Sequence, residues 1–153
     1  MNNNKRGFFG IGVQNLKNEC NLGGIWRSAH NMGASFTFCI GKRYKKQKSD
    51  TTNHAKHIPF YEYETFAEFY DNIPKNCRLV GIEYPLAKAV PLGGFTHPDS
   101  CVYLLGAEDN GLSTEAIGKC HLATYIPSKY CLNVASAASI VLFHRMTQRG
   151  ETY

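Results

Sequence analysis

Three segments of the chain concentrate the residue types that bind and activate ligands. They are NLGGIWRSAHNMG (21–33), LLGAEDNGLS (104–113) and IPSKYCLNVASAAS (126–139). Each combines glycine or alanine with amides, carboxylates or an arginine. Small residues let a ligand approach the backbone closely, and the polar side chains supply hydrogen bonds to it. Together the three segments predict a site for a polar or anionic ligand.

The first segment carries a candidate anion-binding arginine. Gly23 and Gly24 permit a tight turn into a helix, and Arg27 follows about one turn later. An arginine early in a helix opposes the helix dipole, so this placement indicates an anionic partner. An exposed or salt-bridged arginine without a ligand is the alternative.

The second segment predicts a ligand-facing loop. Gly106 and Gly111 flank Ala107-Glu108-Asp109-Asn110, and such a loop offers its amides and carbonyls to a ligand. It is not a phosphate-binding P-loop, because it lacks the lysine and hydroxyl after the glycines and carries two acids. A glycine-rich turn with solvated acids is the alternative.

The third segment runs from Cys131-Leu132-Asn133 into an alanine-rich stretch. No local histidine pattern supports Cys131 as a nucleophile, so we expect its thiol to line a pocket. The six histidines show no metal-like pairing, and His54 and His57 fall in a predicted loop. The sequence therefore predicts no metal site.

A basic run provides a candidate nucleic-acid contact. Its cations surround Tyr44 with no acid before Asp50, and they are Lys42, Arg43, Lys45, Lys46 and Lys48. The chain carries a net charge of +5 and has a pI near 8.9. This pattern predicts a loop that contacts phosphates. A solvated loop that only keeps the protein soluble remains the alternative.

Composition and length bound the class of protein. The 153 residues are 43% hydrophobic and 19% charged, which predicts one globular domain over residues 1–153. The apolar run from Ser139 to Phe143 is too short to cross a bilayer, and the N-terminus resembles no signal peptide. The six cysteines form no C-x-x-C pair. We therefore expect a cytoplasmic protein whose cysteines are reduced and mostly buried.

The elements that position the three segments alternate between strand and helix. We predict strands at 7–13, 35–40, 78–83, 101–106 and 123–126, and helices at 24–32, from 65, from 113 and from 133. Gly33 is placed to end the first helix, and Thr65 with Glu68 forms a capping box. This alternation predicts an α/β domain with a largely parallel sheet, whose ligands bind at the carboxyl ends of the strands.

The three segments, in this order and spacing, resemble the three motifs of the TrmH-like (SpoU) branch of the SPOUT RNA 2′-O-ribose methyltransferases. Asn21, Gly23 and Arg27 match N-x-G-x-x-x-R. G-x-E-x-x-G-L is matched at Gly106, Glu108, Gly111 and Leu112. Cys131-Leu132-Asn133 stands where S-x-N is common, with cysteine in place of serine. The resemblance covers the chain from about Gly10 to Arg149.

The resemblance implies a fold, a co-substrate and partners. The fold is the SPOUT fold with a C-terminal trefoil knot, although general connection rules would discard any knotted chain. A homodimer completes each active site. The methyl donor is S-adenosylmethionine, held by main chain near Ile82, Gly106, Ile126, Cys131 and Leu132. Family members of this length commonly act on tRNA, with rRNA second.

The implied chemistry is an in-line methyl transfer to a ribose 2′-hydroxyl, which must lose its proton. The family's candidate for this step is the first-motif arginine, here Arg27. A guanidinium keeps its proton at accessible pH, so we expect Arg27 to pin a phosphate and stabilise the developing alkoxide. Asn21, Glu108 and Asn133 would orient it and close the site.

Two other classes of function stay open. A non-catalytic RNA-binding SPOUT protein would share the motifs but fail to bind S-adenosylmethionine. A nucleotide-cofactor enzyme on a Rossmann sheet would need G-x-G-x-x-G after the first strand. Gly10-Ile11-Gly12 supplies two glycines, and Asn15 stands where the third is needed.

Overall fold

A computed structural model describes residues 7–43, 57–83 and 88–151. Within these ranges the chain forms seven strands, four α-helices and a short 3₁₀ helix. The strands are β1 (Phe8–Gln14), β2 (Phe36–Ile40), β3 (Phe60–Tyr63), β4 (Arg78–Ile82), β5 (Ala89–Pro91), β6 (Ser100–Gly106) and β7 (Leu122–Tyr125). The α-helices are α1 (Glu19–Asn31), α2 (Phe66–Asn72), α3 (Thr114–Lys119) and α4 (Val134–Gln148), and the 3₁₀ helix is Leu92–Gly94.

All seven strands join one parallel sheet in the order β3-β2-β1-β6-β4-β7-β5. This confirms the predicted α/β fold with a largely parallel sheet. The four central strands β1, β6, β4 and β7 are neighbours, so their carboxyl ends lie side by side. Any loops that follow these ends are therefore brought to one edge of the sheet.

Successive side chains of the central strands enter two separate cores. Ile11 and Tyr103 pack in the core beneath α1 and α4, whereas Val102 and Leu104 pack in the core beneath α2 and α3. Because helices cover both faces, the central strands are apolar along nearly their whole length. This is why the sequence shows continuous apolar runs at these strands rather than an apolar–polar alternation.

The two glycines of β1 make room for aromatic rings. A Cβ on Gly10 would lie 2.3 Å from the ring of Phe36, and one on Gly12 would lie 2.3 Å from the carbonyl oxygen of Phe38. Both glycines fall inside the strand rather than in the turn that follows it. They are therefore packing residues. A Rossmann dinucleotide site would need them in a glycine-rich loop after the strand, so they give no support to that alternative.

Helix α1 begins earlier than the apolar spacing indicates, and this changes the interpretation of Arg27. Asn18 caps the helix by accepting a hydrogen bond from the Cys20 amide at 2.9 Å. Gly23 and Gly24 thus lie inside the helix, and the predicted tight turn there is wrong. A Cβ on Gly24 would lie 2.9 Å from the Ala135 Cβ, so the glycine permits close packing of α1 on α4. Arg27 lies more than two turns into α1 and does not oppose its N-terminal dipole.

The other predicted helix boundaries are confirmed. Thr65, Ser113 and Asn133 each cap a helix through a side-chain oxygen. Gly33, with a φ of +79°, follows the end of α1 in the left-handed conformation that glycine adopts at low cost. Strands β3 and β5 are the elements that the sequence reasoning did not predict.

The cysteine environments agree with the prediction that most are buried. Cys39, Cys77, Cys101 and Cys120 are buried and free, and Cys20 and Cys131 are exposed and free. Burial raises the pKa of Cys39 and of Cys120 to about 11, so both are protonated thiols. No helix in the three described ranges combines the length and the apolarity needed to cross a bilayer.

Candidate active site

The three chemistry-bearing segments meet at the carboxyl edge of the sheet. The first follows β1, the second follows β6, and the third follows β7. Because β1, β6, β4 and β7 are adjacent, a residue after any of these strands lies close to the others. The structure therefore brings together segments that are separated by about 80 and about 20 residues in the chain.

Side chains from all three segments form one hydrogen-bonded group, which we call the amide–carboxylate cluster (Asn21, Glu108 and Asn133). Asn21 Nδ2 donates to Glu108 Oε1 at 3.1 Å. Asn133 Nδ2 donates to the same carboxylate oxygen at 2.9 Å and to Asn21 Oδ1 at 2.9 Å. Both hydrogens of the Asn133 amide are thus used, which fixes the orientation of that amide. Three of the four predicted catalytic residues are in mutual contact.

Helix α4 holds one member of this cluster in place. Asn133 Oδ1 accepts hydrogen bonds from the amides of Ala135 at 2.9 Å and Ser136 at 3.3 Å. The side chain therefore caps α4 with its oxygen and reaches the cluster with its nitrogen. The Val134 amide also lies 3.5 Å from Glu108 Oε1. A carboxylate at this position is favoured by the positive end of the helix dipole.

The loop between Gly106 and Gly111 requires both glycines. A Cβ on Gly106 would lie 2.3 Å from the Gly111 carbonyl carbon, and Gly111 adopts a φ of +62°. The turn closes through a hydrogen bond of 2.8 Å from the Gly111 amide to the Ala107 carbonyl. The spacing of the glycines thus shapes the loop that presents Glu108.

Glu83 supports this loop, and the sequence reasoning missed it. Its Oε2 accepts a hydrogen bond of 2.8 Å from the Leu112 amide, directly after the loop. Glu83 follows β4, so a carboxylate beside an apolar strand at the carboxyl edge was the signal that could have identified it. The pair Gln14 and Ser113 was also missed. Gln14 exchanges two hydrogen bonds of 2.9 Å with the side chain and amide of Ser113, which anchors the start of α3.

Arg27 lies on the same helix as Asn21 but outside the cluster. Its side chain is exposed, and within the described residues its guanidinium has no hydrogen-bond partner. The neighbouring Ser28 hydroxyl lies 2.6 Å from the Ser139 hydroxyl, which ties this turn of α1 to α4. The fourth predicted catalytic residue is therefore held on a fixed helix and is open to a ligand.

The predicted donor-binding residues also converge on this edge. Ile82 ends β4, Gly106 ends β6, and Ile126 follows β7, and these three strands are adjacent. Cys131 and Leu132 lie in the exposed stretch before α4. The five residues thus lie at or after the ends of three adjacent strands and in the stretch that leads into α4. Their role as donor contacts stays a prediction.

The basic run has acidic partners where it is described. Lys42 Nζ lies 2.6 Å from Glu62 Oε1. The Arg43 guanidinium binds both oxygens of the Asp109 carboxylate, at 2.6 and 3.0 Å. This pairing lowers the pKa of Asp109 to about 2. Lys45 and Lys46 lie outside the described residues, and phosphate contacts by the run stay a prediction.

Four of the five described histidines contact other rings, and the fifth, His121, accepts a hydrogen bond of 2.8 Å from the Leu79 amide through Nδ1. His57 stacks on His30 with the ring centroids 4.7 Å apart, and His97 contacts His144. His54 lies outside the described residues. In the described parts of the chain no group of three or more His, Cys, Asp and Glu side chains is arranged to hold a metal ion.

Comparison with known proteins identifies relatives of the whole arrangement. The model of the SpoU rRNA Methylase family matches residues 9–143, which include all three segments. A search of curated proteins gives no significant match.

Solved structures share the fold at low sequence identity. The SpoU methyltransferase AviRb from Streptomyces viridochromogenes, in complex with AdoMet, matches with a TM-score of 0.81 and 23% identity over 95% of this chain and 59% of its own. An AdoMet-bound rRNA methyltransferase from Sinorhizobium meliloti matches with a TM-score of 0.78 and 23% identity over 93% of this chain and 57% of its own. A structure concerned with 2-OH methylation of C/U34 on tRNA matches with a TM-score of 0.78 and 18% identity over 94% of this chain and 97% of its own. The chain thus spans about three fifths of the length of the first two proteins.

Proposed function

The chain belongs to the SpoU rRNA methylase family, and from that premise we propose that it transfers a methyl group from S-adenosylmethionine to a ribose 2′-hydroxyl of RNA. The observation that carries the proposal is the amide–carboxylate cluster. In it, side chains from the three segments that resemble the family motifs share hydrogen bonds of 2.9 to 3.1 Å. A merely structural turn after each strand would not need to join all three segments through one carboxylate oxygen.

We assign donor binding to the main chain at Ile82, Gly106, Ile126, Cys131 and Leu132. When bound, S-adenosylmethionine supplies a methyl group on a sulfonium, which an oxygen nucleophile can attack. Two observations favour the fit. The half-buried main chain of Gly106 ends β6 at the carboxyl edge, and Leu132, which is 37% exposed, offers apolar surface for a planar base. AdoMet in the AviRb and S. meliloti structures supports the same ligand here.

We assign Arg27 to the RNA and the reacting oxygen. The 2′-hydroxyl loses its proton to solvent as its oxygen bonds the methyl group and the sulfur leaves as a neutral thioether, so negative charge develops on that oxygen. A protonated guanidinium can pin the adjacent phosphate and stabilise this charge. The exposure of Arg27 and its lack of a partner within the described residues support this role. Asn21, Glu108 and Asn133 hold the surrounding site closed.

For the substrate we propose tRNA. The solved structure that matches along 97% of its own length concerns 2-OH methylation on tRNA, whereas the AdoMet-bound rRNA methyltransferase matches along 57%. Ribosomal RNA is the second candidate, because the family model is described for rRNA methylases. The basic run contributes phosphate contacts through Lys42, Lys45 and Lys46.

We further propose a homodimer with the C-terminal trefoil knot expected from the family. Ile140 and Phe143, which lie about one turn apart on α4, are 40% and 54% exposed. Apolar side chains at this spacing form a face that a second copy could bury. Light scattering of the purified protein should give twice the chain mass, and a monomer at micromolar concentration would contradict this part of the proposal.

The central experiment measures donor binding and methyl transfer separately. Calorimetry with S-adenosylhomocysteine should show one site per chain. Incubation with labelled S-adenosylmethionine should methylate tRNA, and mapping of 2′-O-methyl positions should locate the product. Binding without transfer to tRNA or rRNA would favour a non-catalytic RNA-binding protein. Absence of donor binding would overturn the proposal.

A further inference from the structure

The loop that carries Glu108 is held from outside the three motif segments by one arginine. Arg43 Nη1 and Nη2 donate to the two carboxylate oxygens of Asp109, the residue after Glu108, at 3.0 and 2.6 Å. Its Nε donates to the Asn15 carbonyl at 2.9 Å, and its own amide donates to the Leu16 carbonyl at 3.0 Å. Arg43 therefore joins the turn after β1 to the loop after β6.

The geometry of this contact differs from that of an ordinary surface ion pair. Both oxygens of the carboxylate meet the planar fork of the guanidinium, an arrangement that fixes direction as well as distance. The third donor of the same guanidinium is anchored on backbone, so the arginine itself is immobilised. Asn15, whose carbonyl it holds, adopts a φ of +56°, the left-handed conformation that asparagine tolerates better than most residues with a side chain. The contact thus fixes two turns at the edge of the site.

We propose that Arg43 and Asp109 are positioning residues that hold Glu108 in the amide–carboxylate cluster. This inference rests on the proposed function and assigns to Arg43 a role other than binding RNA phosphate. Glu108 Oε1 must accept hydrogen bonds from Asn21 and Asn133 at the same time, so a small shift of its backbone breaks at least one of them. Misplacement by about an ångström can cost roughly a hundred-fold in rate.

The charges around the pair are consistent with a structural clamp. Lys17 is a further cation that acts on Asp109, and it adds to the attraction exerted by Arg43. The Arg43 and Asp109 side chains are 35% and 40% exposed. Because both side chains are more than a third exposed, solvent screens their charges, and variants of either residue are expected to fold. Their effect should therefore be seen at the site.

The test replaces Asp109 and uses a matched acid as control. Asp109→Asn and Glu62→Gln each remove one negative charge from a carboxylate that pairs with a residue of the basic run. Only Asp109 neighbours Glu108. Asp109→Asn should lower kcat on the substrate RNA by roughly ten- to a hundred-fold and leave KM for RNA near the wild-type value. Glu62→Gln should leave kcat unchanged. Equal effects in the two variants would overturn the inference, because they would show a response to net charge.

Arg43 is tested by a change that keeps its charge. Arg43→Lys retains a cation for phosphate but loses the two-pronged contact and the anchor on Asn15. A positioning role predicts a low kcat with an unchanged salt dependence of RNA binding. If Arg43→Lys and Asp109→Asn keep the wild-type kcat, and Arg43→Gln raises KM for RNA and flattens the salt dependence, Arg43 is a phosphate ligand and the inference is wrong.

A measurement on the free protein separates this inference from the proposed function. Amide hydrogen exchange of residues 107–112 should become several-fold faster in Asp109→Asn than in wild type, whereas Glu62→Gln should not change it. If no RNA is methylated, the proposed function fails. The hydrogen-exchange rates then test by themselves whether Arg43 and Asp109 hold the loop that carries Glu108. Wild-type exchange in Asp109→Asn would overturn the clamp even in an active enzyme.

Discussion

Asn21 and Asn133 lie 112 positions apart in the sequence, yet a hydrogen bond of 2.9 Å joins their side-chain amides. The bond exists because α1 and α4 pack side by side, with Gly24 against Ala135. Asn133 is also the N-cap of α4. One residue thus fixes the start of a helix and completes the cluster, and these two roles can be separated by mutation.

The first prediction separates these roles at Asn133. Asn133→Asp keeps the capping oxygen, so it should retain the stabilisation that the cap gives α4. The same change removes both amide donors and places a second carboxylate beside Glu108, so methyl transfer should be lost. Asn133→Ala should lose the cap as well, at a cost of about 0.5 to 2 kcal/mol. Urea unfolding and a methylation assay measure the two effects. A fully active Asn133→Asp variant would show that the cluster is not needed for catalysis.

The second prediction concerns Arg27. Arg27→Ala should reduce methyl transfer by roughly a hundred- to a thousand-fold, because one charge-stabilising contact to the reacting oxygen is lost. Binding of S-adenosylhomocysteine and the oligomeric state should stay near wild type, since Arg27 lies outside the predicted donor contacts. Arg27→Lys should also fail, because an ammonium lacks the planar donor pair. Wild-type turnover of the alanine variant would make Arg27 a surface residue without a catalytic role.

The third prediction concerns the exposed thiol of Cys131. Cys131→Ser should retain methyl transfer, because serine is the commoner residue at this place in the family pattern that the segment resembles. Alkylation of Cys131 by a bulky reagent should weaken donor binding by filling the space beside Leu132. Cys20 is also exposed, so the alkylation is done in a Cys20→Ser background. A Cys131→Ser variant that binds donor normally but cannot turn over would make the thiol catalytic.

The sequence carried enough information for the central strands and three of the four helix starts, since these depend on local patterns. Apolar runs identify strands that are buried on both faces, and Thr65, Ser113 and Asn133 mark helix starts. Strand β3 escaped prediction because it pairs with one neighbour only, and two of its four residues are exposed. Strand β5 has only three residues.

The start of α1 and the clamp on Asp109 could not be read from local patterns. Gly23 and Gly24 are typical of turns, and only the approach of α4 explains a glycine at position 24 inside a helix. Arg43 and Asp109 are 66 residues apart, and nothing local pairs them. The motif residues Asn21, Glu108 and Asn133 were grouped by resemblance, and their hydrogen bonds are the physical basis for that grouping.

A fourth prediction concerns His97, a buried histidine outside the amide–carboxylate cluster. Arg145 donates to the Tyr103 hydroxyl at 3.1 Å, and that hydroxyl lies 2.6 Å from His97 Nδ1. His97 Nε2 lies 2.8 Å from His144 Nδ1, so the two rings share one hydrogen bond. Burial, followed by the charges of His144, Arg145 and Arg149, lowers the pKa of His97 to about 3. His97 is therefore neutral in the folded protein.

The sign of the pH effect follows from this lowered pKa. Below an ordinary histidine pKa of about 6.5 the unfolded chain binds a proton that the folded protein does not bind. The contribution of His97 to the unfolding free energy is therefore complete above about pH 6.5. It decreases as the pH falls toward about 3, by at most about 1.4 kcal/mol per pH unit. His97→Gln should show a smaller loss of unfolding free energy between about pH 7 and about pH 5. An equal loss in both proteins would show that His97 titrates normally.

The last prediction concerns the lysines of the basic run. Lys42 follows β2 directly, at the carboxyl edge of the sheet, and it is exposed although paired with Glu62. Each phosphate that a cation neutralises contributes roughly −0.7 to −0.9 to the slope of log affinity against log salt concentration. Replacing Lys42, Lys45 and Lys46 with glutamine should therefore weaken tRNA binding and flatten this slope by up to about 2.7 units. Binding of S-adenosylhomocysteine should not change, because none of these lysines lies in the three motif segments.

A control for net charge is available on other elements. Lys75, which follows α2, and Lys119, at the end of α3, are exposed, and replacing both with glutamine removes charge away from the basic run. This double variant should keep most of the wild-type slope. If the double variant flattens the slope by as much for each lysine removed as the triple variant does, tRNA binding responds to the overall charge of the protein. The basic run would then be a solubility loop. If only the triple variant changes the slope, the run lies along the phosphate path, and the RNA approaches the cluster from the side of β2.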